Sequence, residues 1–303
     1  MIIQILGSAA GGGFPQWNCN CANCAAARAG RPNIVARTQT SIAVSADGSD
    51  WILLDATPDL RSQIAATKAL QPHPKDPPRS SPIKAVVVTG FEIDQVSGLL
   101  NLREDQGFRL HATAFVLAAL RANAIFNVLA PPAVVRREMQ MWQPFSPDGG
   151  GSIEITALPV PGKGFLHSTG DDLEPHRDGT IGLVIRDVTR GTRAAYIPSC
   201  AAITDTVLRA IDGVDSLLFD GTLYTDRELI DQRLSHKTGA MMGHIAMSGP
   251  AGAIASLRHI TIGRRIFIHL NNSNPVLRDD SPERRAVREA DWDIACDGME
   301  LII

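Results

Sequence analysis

The sequence predicts an α/β fold, a four-layer αβ/βα sandwich formed by a single domain over residues 1–303. Three observations support this prediction. Short apolar runs without charge, such as Ala85–Val88, indicate buried strands. Both halves of the chain contain hairpin-type strands followed by a strand, a polar loop and a helix. The 303 residues, 44% of them hydrophobic, allow one large α/β domain or two small ones, and the matching halves favour one sandwich.

Elements of the first half follow from apolar periodicity and from turn residues. Strands are predicted at Ile2–Leu6, Thr38–Val44, Trp51–Leu54 and Ala85–Val88, with an Asp47-Gly48 hairpin turn between the second and the third. Helices are predicted at Leu60–Leu70, Val96–Leu102 and Thr113–Leu129. The proline-rich segment Gln71–Pro82 and the segment Pro144–Gly151 are predicted to be loops.

The second half repeats this order. Strands are predicted at Ile153–Val160, Thr180–Val188, Arg193–Ile197, Ser216–Phe219 and Arg265–His269, and a last hairpin pairs Trp292–Cys296 with Met299–Ile303 around Asp297-Gly298. Helices are predicted at Thr204–Ile211, from Gly243-His244 through Ala251–Leu257, and from Ser281-Pro282 onward. The polar loop Pro161–Gly179 carries His167 and His176, which fit solvated loop residues better than ligands.

Composition excludes several classes of protein. A net charge of −3 without a basic cluster argues against nucleic-acid binding. No apolar run reaches the roughly 20 residues of a membrane helix, so no membrane insertion is expected. The start of the sequence lacks the features of a signal peptide, which predicts a cytoplasmic protein whose five cysteines are reduced or metal-bound.

A cysteine-rich loop at about residues 15–30 is the strongest local signal. Cys19, Cys21 and Cys24 place three thiols within six residues, a spacing that suits a structural Zn²⁺ in tetrahedral geometry. The alternative is three free cysteines. No fourth ligand is visible nearby, so it comes from distant sequence or from water.

The loop after the strand Ala85–Val88 carries Glu92, Asp94 and Gln95. Carboxylates beside an apolar crevice need a compensating cation or hydrogen bonds, although an ordinary strand-to-helix turn with solvated acids would look the same. The frame from Thr89 to Gly98 resembles T-H-x-H-x-D-H-x-x-G, the metal loop of the metallo-β-lactamase superfamily. Its Thr, Asp and final Gly are present, whereas Gly90, Glu92 and Gln95 replace the three histidines.

Longer strings make the resemblance specific. The chain resembles the pyrroloquinoline quinone (PQQ) biosynthesis protein B family in Gly7–Cys24, Arg37-Thr-Gln, Asp55-Ala-Thr-Pro-Asp-Leu-Arg61, Phe219-Asp-Gly-Thr222, Met242-Gly-His244, His269-Leu-Asn-Asn-Ser-Asn-Pro275 and Ser281-Pro-Glu-Arg284. The match runs from end to end. It implies a metallo-β-lactamase fold and a role in making the redox cofactor PQQ.

The resemblance also implies a metal site of the 2-His-1-carboxylate type, which supports Fe(II) oxygenase chemistry. Asp94 and His269 match the family's Asp and late His, and the implied reaction is Fe(II)- and O₂-dependent hydroxylation of the tyrosine ring in the cross-linked Glu–Tyr precursor. This sequence departs at Gln95, so Gln95 or Glu92 is expected as a weak third ligand; the alternatives are that His244 moves in as a ligand or that the metal is bound poorly. His244 is a candidate for proton transfer or for supporting the ligands.

Cys200 matches the neighbourhood of the usual bridging Asp, and this argues against a site with two metals. The place of the fourth zinc ligand in a related phosphodiesterase falls near Asn272. The carboxylates of the precursor are expected to be bound by Arg37, Arg61, Asn271, Asn272 and Asn274, with turn formation as the alternative role of the asparagines.

Two other functions stay open. The chain could be a non-catalytic carrier of PQQ or its precursor, or a metal-dependent hydrolase of the kind that this fold often hosts. The expected partners are the small-molecule quinone precursor and other proteins of PQQ synthesis, and a homodimer is left open.

Overall fold

The computed structural model describes residues 1–163 and 178–303 and contains two seven-stranded sheets. The first sheet has the spatial order β14 (Glu300–Ile302), β1 (Ile2–Gly7), β2 (Ser41–Ser45), β3 (Trp51–Leu54), β4 (Ile83–Val87), β5 (Phe108–Ala112) and β6 (Val134–Glu138). The second has the order β13 (Asp293–Ile294), β12 (Ile262–Ile268), β11 (Val214–Asp220), β10 (Arg193–Ile197), β9 (Ile181–Asp187), β8 (Ile153–Pro159) and β7 (Pro144–Phe145). The predicted loop histidines His167 and His176 lie outside the described residues.

Helices cover the outer faces of the sheets. They are α1 (Ala22–Arg28), α2 (Leu60–Ala66), α3 (Ile93–Val96), α4 (Ala114–Ala122), α5 (Asp205–Ile211), α6 (Glu228–Asp231), α7 (Ala253–Leu257) and α8 (Pro282–Glu289). Short 3₁₀ helices span Lys68–Leu70, Ser97–Leu102, Ala124–Val128, Ala240–Met242 and Pro275–Leu277. Within the described part of the chain, no helix is long and apolar enough to cross a membrane.

Strand β4 shows why the central strands are apolar on both sides. Ala85 and Val87 point into the core between the two sheets, whereas Val86 and Val88 pack into the core beneath the outer helices. Side chains alternate between the faces of a strand, so a strand buried on both faces needs a continuous apolar run. The predicted sandwich is therefore confirmed, with one apolar layer between the sheets and one outside each sheet.

The carboxyl ends of β4, β11 and β12 meet at one edge of the sandwich. The two sheets are joined there by backbone hydrogen bonds, since Ala10 N–H donates to Leu270 O at 2.8 Å and Leu270 N–H donates to Ser8 O at 2.9 Å. The loops that follow these strands consequently share one cleft, the usual place for ligands in open α/β sheets.

Two predicted helices are wrong in detail, and three strands were not predicted. The predicted helix Thr113–Leu129 ends at Ala122, because the Asn123 side chain donates to Ala119 O at 2.8 Å and a 3₁₀ turn follows. No helix opens at Gly243-His244, because Gly243 has a left-handed φ of 81° that ends a 3₁₀ turn. Strands β5, β6 and β7 were not predicted, and β7 lies in a segment expected to be loop.

The last two strands do not form a hairpin with each other. Strand β13 pairs with β12 in the second sheet, and β14 pairs with β1 in the first. The turn between them crosses from one sheet to the other, and Asp297 anchors it by accepting hydrogen bonds from Ser8 Oγ at 2.8 Å and from Thr38 N at 2.6 Å.

Candidate active site

Asp94 and His269 form the centre of the site. Asp94 lies in the first turn of α3, after β4, and His269 follows β12 with a φ of 63°. The two side chains meet across the cleft, with Asp94 Oδ2 3.2 Å from His269 Nε2. The sequence predicted both residues, and the fold brings them together from 175 residues apart in the chain.

A network behind His269 fixes its orientation. Thr222 Oγ1 lies 2.8 Å from His269 Nδ1 and 3.0 Å from His244 Nδ1, and it donates to Asp220 Oδ1 at 2.7 Å. His244 Nδ1 also contacts Asp220 Oδ2 at 2.8 Å, and its ring stacks on His269 with centroids 5.3 Å apart. The Asp220 carboxylate accepts from His244 Nδ1, which therefore carries a proton. Thr222 Oγ1 gives its one hydrogen to Asp220, so it must accept from His269 Nδ1, which carries a proton as well. Nε2 is then the atom that each imidazole offers to a ligand.

The electrostatics of the pair favour opposite charges. Burial acts to lower the pKa of His269, but the hydrogen bond to Asp94 and its charge outweigh burial and raise that pKa above its ordinary value. Burial acts to raise the pKa of Asp94, yet the hydrogen bond and charge of His269 hold it below its ordinary value. Both shifts favour a proton shared between Asp94 Oδ2 and His269 Nε2.

The Gln95 amide is engaged in the backbone of its own loop. Its Oε1 accepts from the Glu92 backbone N–H at 3.0 Å, and this bond is one half of a capping box at α3. Its Nε2 donates to Thr89 Oγ1 at 2.9 Å. The side chain still borders the cleft. Its oxygen must leave the Glu92 N–H before it can bind a metal.

Gly90 stands where the superfamily motif has its first histidine. A Cβ at this position would lie 2.4 Å from Gln95 Oε1 and 3.0 Å from the backbone oxygen of Gly179. No side chain fits there while Gln95 keeps its position.

Asp55 forms the floor beneath the loop. It is fully buried with a φ of 62°, and it accepts from Thr89 N at 2.7 Å and from Tyr196 Oη at 3.0 Å. Burial raises its pKa to about 7 despite these hydrogen bonds. Asp55 thereby fixes Thr89, and Thr89 fixes the Gln95 amide.

Cys200 lies beside a carboxylate at the end of β11. That carboxylate is Asp220, the last residue of β11, which accepts from the Cys200 backbone N–H at 2.9 Å. The Cys200 thiol is buried and donates to Ala202 O at 3.2 Å, and burial together with Asp220 raises its pKa to about 12. Cys200 is therefore a structural residue. The sequence marked Asp220-Gly-Thr222 as part of a family string at the end of a buried strand but assigned these residues no role at the site.

The predicted ligand-binding residues separate into two groups. Asn271 borders a cavity of about 190 Å³ that Asp94, His244 and His269 also line. The other four lie elsewhere. Arg37 is buried against Ser8 Oγ and Ala295 O, and Arg61 is exposed and does not line the cavity. Asn272 contacts the cysteine loop, and Asn274 caps the turn at Val276. Lys163, which also lines the cavity, was missed because nothing marks it within a polar loop.

The cysteine loop forms a compact thiol cluster. One sulfur from each of Cys19, Cys21 and Cys24 lies within 4.8 Å of the others. The Asn272 amide closes the cluster, with its Nδ2 3.1 Å from Cys19 Sγ and 3.4 Å from Cys24 Sγ. Burial and the neighbouring Cys21 raise the pKa of Cys24 to about 11, so a cation is needed before all three sulfurs can be thiolates.

Comparison with known proteins defines the class first. Residues 50–270 match the family model of the beta-lactamase superfamily domain, so the chain is a member of that superfamily. A diphosphatase from the PhnP family shares the fold, with a TM-score of 0.69 at 19% identity over 100% of this chain and 97% of the other.

The particular family follows from closer relatives. Coenzyme PQQ synthesis protein B of Methylobacterium sp. (strain 4-46) is 48% identical over 99% of both chains, and that of Rhodopseudomonas palustris (strain BisB5) is 47% identical over 100% of both. The crystal structure of Zn²⁺-bound PqqB from Methylobacterium extorquens superposes with a TM-score of 0.95 at 46% identity over 100% of both chains. This chain belongs to the coenzyme PQQ synthesis protein B family.

Proposed function

We propose that this protein acts in PQQ synthesis as an Fe(II)- and O₂-dependent hydroxylase of the tyrosine ring in the cross-linked Glu–Tyr precursor. Family membership supports the role in PQQ synthesis. The observation that supports the chemistry is the contact of Asp94 Oδ2 with His269 Nε2 at the wall of a cavity, behind which Asp220 and Thr222 orient the imidazole.

The residues present fit a divalent cation. An anionic carboxylate and an imidazole lone pair converge on one point, and a metal ion can replace the proton that they share. Asp220, His244 and His269 form a second possible ligand set, with ligand atoms within 4.8 Å of one another, but the Nδ1 atoms of both rings are engaged there by Thr222 and Asp220. Hydrogen bonds from outer residues to the ligating imidazole are typical of metal sites because they fix its tautomer.

We assign the active-site metal to Asp94 and His269. Gln95 or Glu92 supplies a weak third ligand after a rearrangement of the capping box. Fe²⁺ bound there would supply open coordination positions at which O₂ and substrate come together. Hydroxylation places one oxygen atom in the ring and releases the other as water, so a two-electron reductant is required.

The protein's own residues then have distinct roles. Asp94 holds the charge of the site, and Thr222 keeps the Nε2 atom of His269 directed at the cavity. His244 is the proton-transfer residue, since it lines the cavity and its Nδ1 is tied to Asp220.

We assign a structural Zn²⁺ to Cys19, Cys21 and Cys24. Tetrahedral zinc with Zn–S bonds of about 2.3 Å requires sulfurs about 3.8 Å apart, which the cluster can reach. Asn272 is the fourth ligand if its amide turns so that Oδ1, rather than Nδ2, faces the sulfurs. This anchors the loop after β12, and therefore His269, to the amino-terminal segment.

The experiment combines metal analysis with oxygen uptake. Protein reconstituted with Fe(II) should consume O₂ with the cross-linked Glu–Tyr precursor and a reductant, and zinc should remain bound at one equivalent. An Asp94→Asn variant, which keeps the shape of the side chain, should retain the zinc and lose the oxygen uptake. Oxygen uptake that does not depend on the precursor would refute the proposal.

A carrier of PQQ or its precursor is the second candidate. The engagement of Gln95 in the capping box favours it, since one carboxylate and one imidazole make a weak iron site. Equilibrium binding of PQQ without oxygen uptake would support this role. A hydrolase with two metals has less support, because Gly90 and Glu92 replace the histidines of a first metal site.

A further inference from the structure

Among the described residues that line the Asp94–His269 cavity, Lys163 is the one with a Lys or Arg side chain. Its Nζ lies 3.9 Å from Glu92 Oε1, and the two side chains are 31% and 20% exposed. A charge-assisted hydrogen bond is about 2.7–2.9 Å long, so this pair is loose. Partly exposed ion pairs contribute little to stability, and Lys163 can exchange Glu92 for another anion at small cost.

The lower part of the Lys163 side chain lies close to the turn that leads to His244. Gly243 in this turn has a φ of 81°, and a Cβ there would lie 3.1 Å from Lys163 N and 3.2 Å from Lys163 Cβ and Cγ. Only glycine allows this approach without a shift of the chain. The turn thus positions Lys163 at the same cavity that His244 lines.

The charges around the cavity create a need for such a cation. Glu92 and Asp94 repel a carboxylate ligand, and His269 is already paired with Asp94 at 3.2 Å. The predicted partners Arg37 and Arg61 do not reach the cavity. Lys163 is therefore placed to pair with a carboxylate of the ligand.

We infer that Lys163 is the specificity-determining residue that recognises a carboxylate of the ligand in the Asp94–His269 cavity. This inference rests on the proposed function and deepens it. The bound carboxylate replaces Glu92 as the partner of the Lys163 ammonium, and the ligand class is an aromatic or peptide-derived polycarboxylate.

The test is equilibrium binding to the full-length protein of two probes, PQQ and benzene-1,3,5-tricarboxylate. The variants are Lys163→Met, which removes the charge, Lys163→Arg, which keeps it, and Glu92→Gln, which removes the competing anion. Lys84→Met is the matched control, because Lys84 pairs with Asp50 at 3.5 Å on another part of the surface. The trimethyl ester of PQQ is the control ligand without carboxylate charge.

Lys163→Met should weaken binding of both probes roughly 10-fold, as expected for the loss of a hydrogen bond to a charged group. Lys163→Arg should stay within about 3-fold of the parent, Glu92→Gln should bind more tightly, and Lys84→Met should not change. The ester should bind the parent and Lys163→Met equally.

Unchanged affinity of Lys163→Met for both probes would overturn the inference, as would an equal loss for the ester. A parent protein that binds neither probe would overturn it as well. Lysine-dependent binding of the tricarboxylate without binding of PQQ would uphold the inference and contradict the carrier role. Lysine-independent binding of PQQ together with turnover of the precursor would overturn the inference and leave the hydroxylase intact.

Discussion

Replacement of Gln95 by histidine restores the residue that the superfamily motif has at this position, and it should move stability and metal affinity in opposite directions. In the metal-free protein, Gln95→His removes the hydrogen bonds to Glu92 N at 3.0 Å and to Thr89 Oγ1 at 2.9 Å. Loss of a cap costs about 1 kcal/mol and loss of a further hydrogen bond about 1 kcal/mol. The free energy of unfolding should therefore fall by about 2 kcal/mol.

In the iron-bound protein, the new imidazole adds a stronger ligand beside Asp94 and His269. We expect Fe(II) to bind roughly 10- to 100-fold more tightly, by analogy with the losses seen when metal-supporting residues are removed. This corresponds to about 1.4–2.7 kcal/mol, so saturating Fe(II) should restore most of the lost stability.

The assay is urea denaturation of the metal-free and iron-saturated proteins, with anaerobic Fe(II) titration of each. Gln95→Ala is the matched control, because it should lose the same stability without gaining iron affinity. A Gln95→His protein that binds Fe(II) no better than the parent would refute the placement of the metal between Asp94 and His269.

Three other changes test separate parts of the molecule. Cys21→Ser should release the zinc and destabilise the amino-terminal loop, whereas Cys296→Ser, at an exposed thiol, should do neither; a stable, zinc-free parent with three titratable thiols would contradict this. Asp55 has a pKa raised to about 7, so its contribution to stability is complete below about pH 3.9 and is lost as pH rises through about 7. The melting temperature of Asp55→Asn should therefore fall less between pH 4 and pH 8 than that of the parent. An equal fall in the two proteins would contradict this prediction. His244→Ala should slow turnover roughly 100-fold while iron content stays at the parental level, and loss of the iron would instead make His244 a ligand.

Most strands could be predicted because the order of apolar residues in the sequence shows which faces of a strand are buried. Val86 and Val87 face different cores, and a short β-branched run of this kind is typical of a strand buried on both sides. Strand β5 was missed because Arg109 and His111 interrupt the apolar pattern. Those two side chains contact the backbone oxygens of Asp148 and Pro147, contacts that no local pattern reveals.

The site was predictable where residue type alone determines chemistry. Asp94, His269 and the three cysteines were found from their spacing and from the family resemblance. The position of the Arg37 side chain could not be predicted. Its guanidinium faces Ser8 Oγ and the Ala295 carbonyl rather than a ligand, and this depends on tertiary packing. Lys163 reaches the cavity through the close approach of the Gly243 turn, which is a tertiary contact.

The most direct test of the proposed reaction is a single turnover under ¹⁸O₂. The reaction mixture contains Fe(II)-loaded protein, the cross-linked Glu–Tyr precursor and a reductant. The mass of the product is measured by mass spectrometry for the parent, Asp94→Ala and His269→Ala. We predict one ¹⁸O atom in the ring of the product from the parent and none from either variant, with zinc and fold retained in all three. Incorporation of ¹⁸O by Asp94→Ala at the parental rate would contradict the assignment of the reaction to this site.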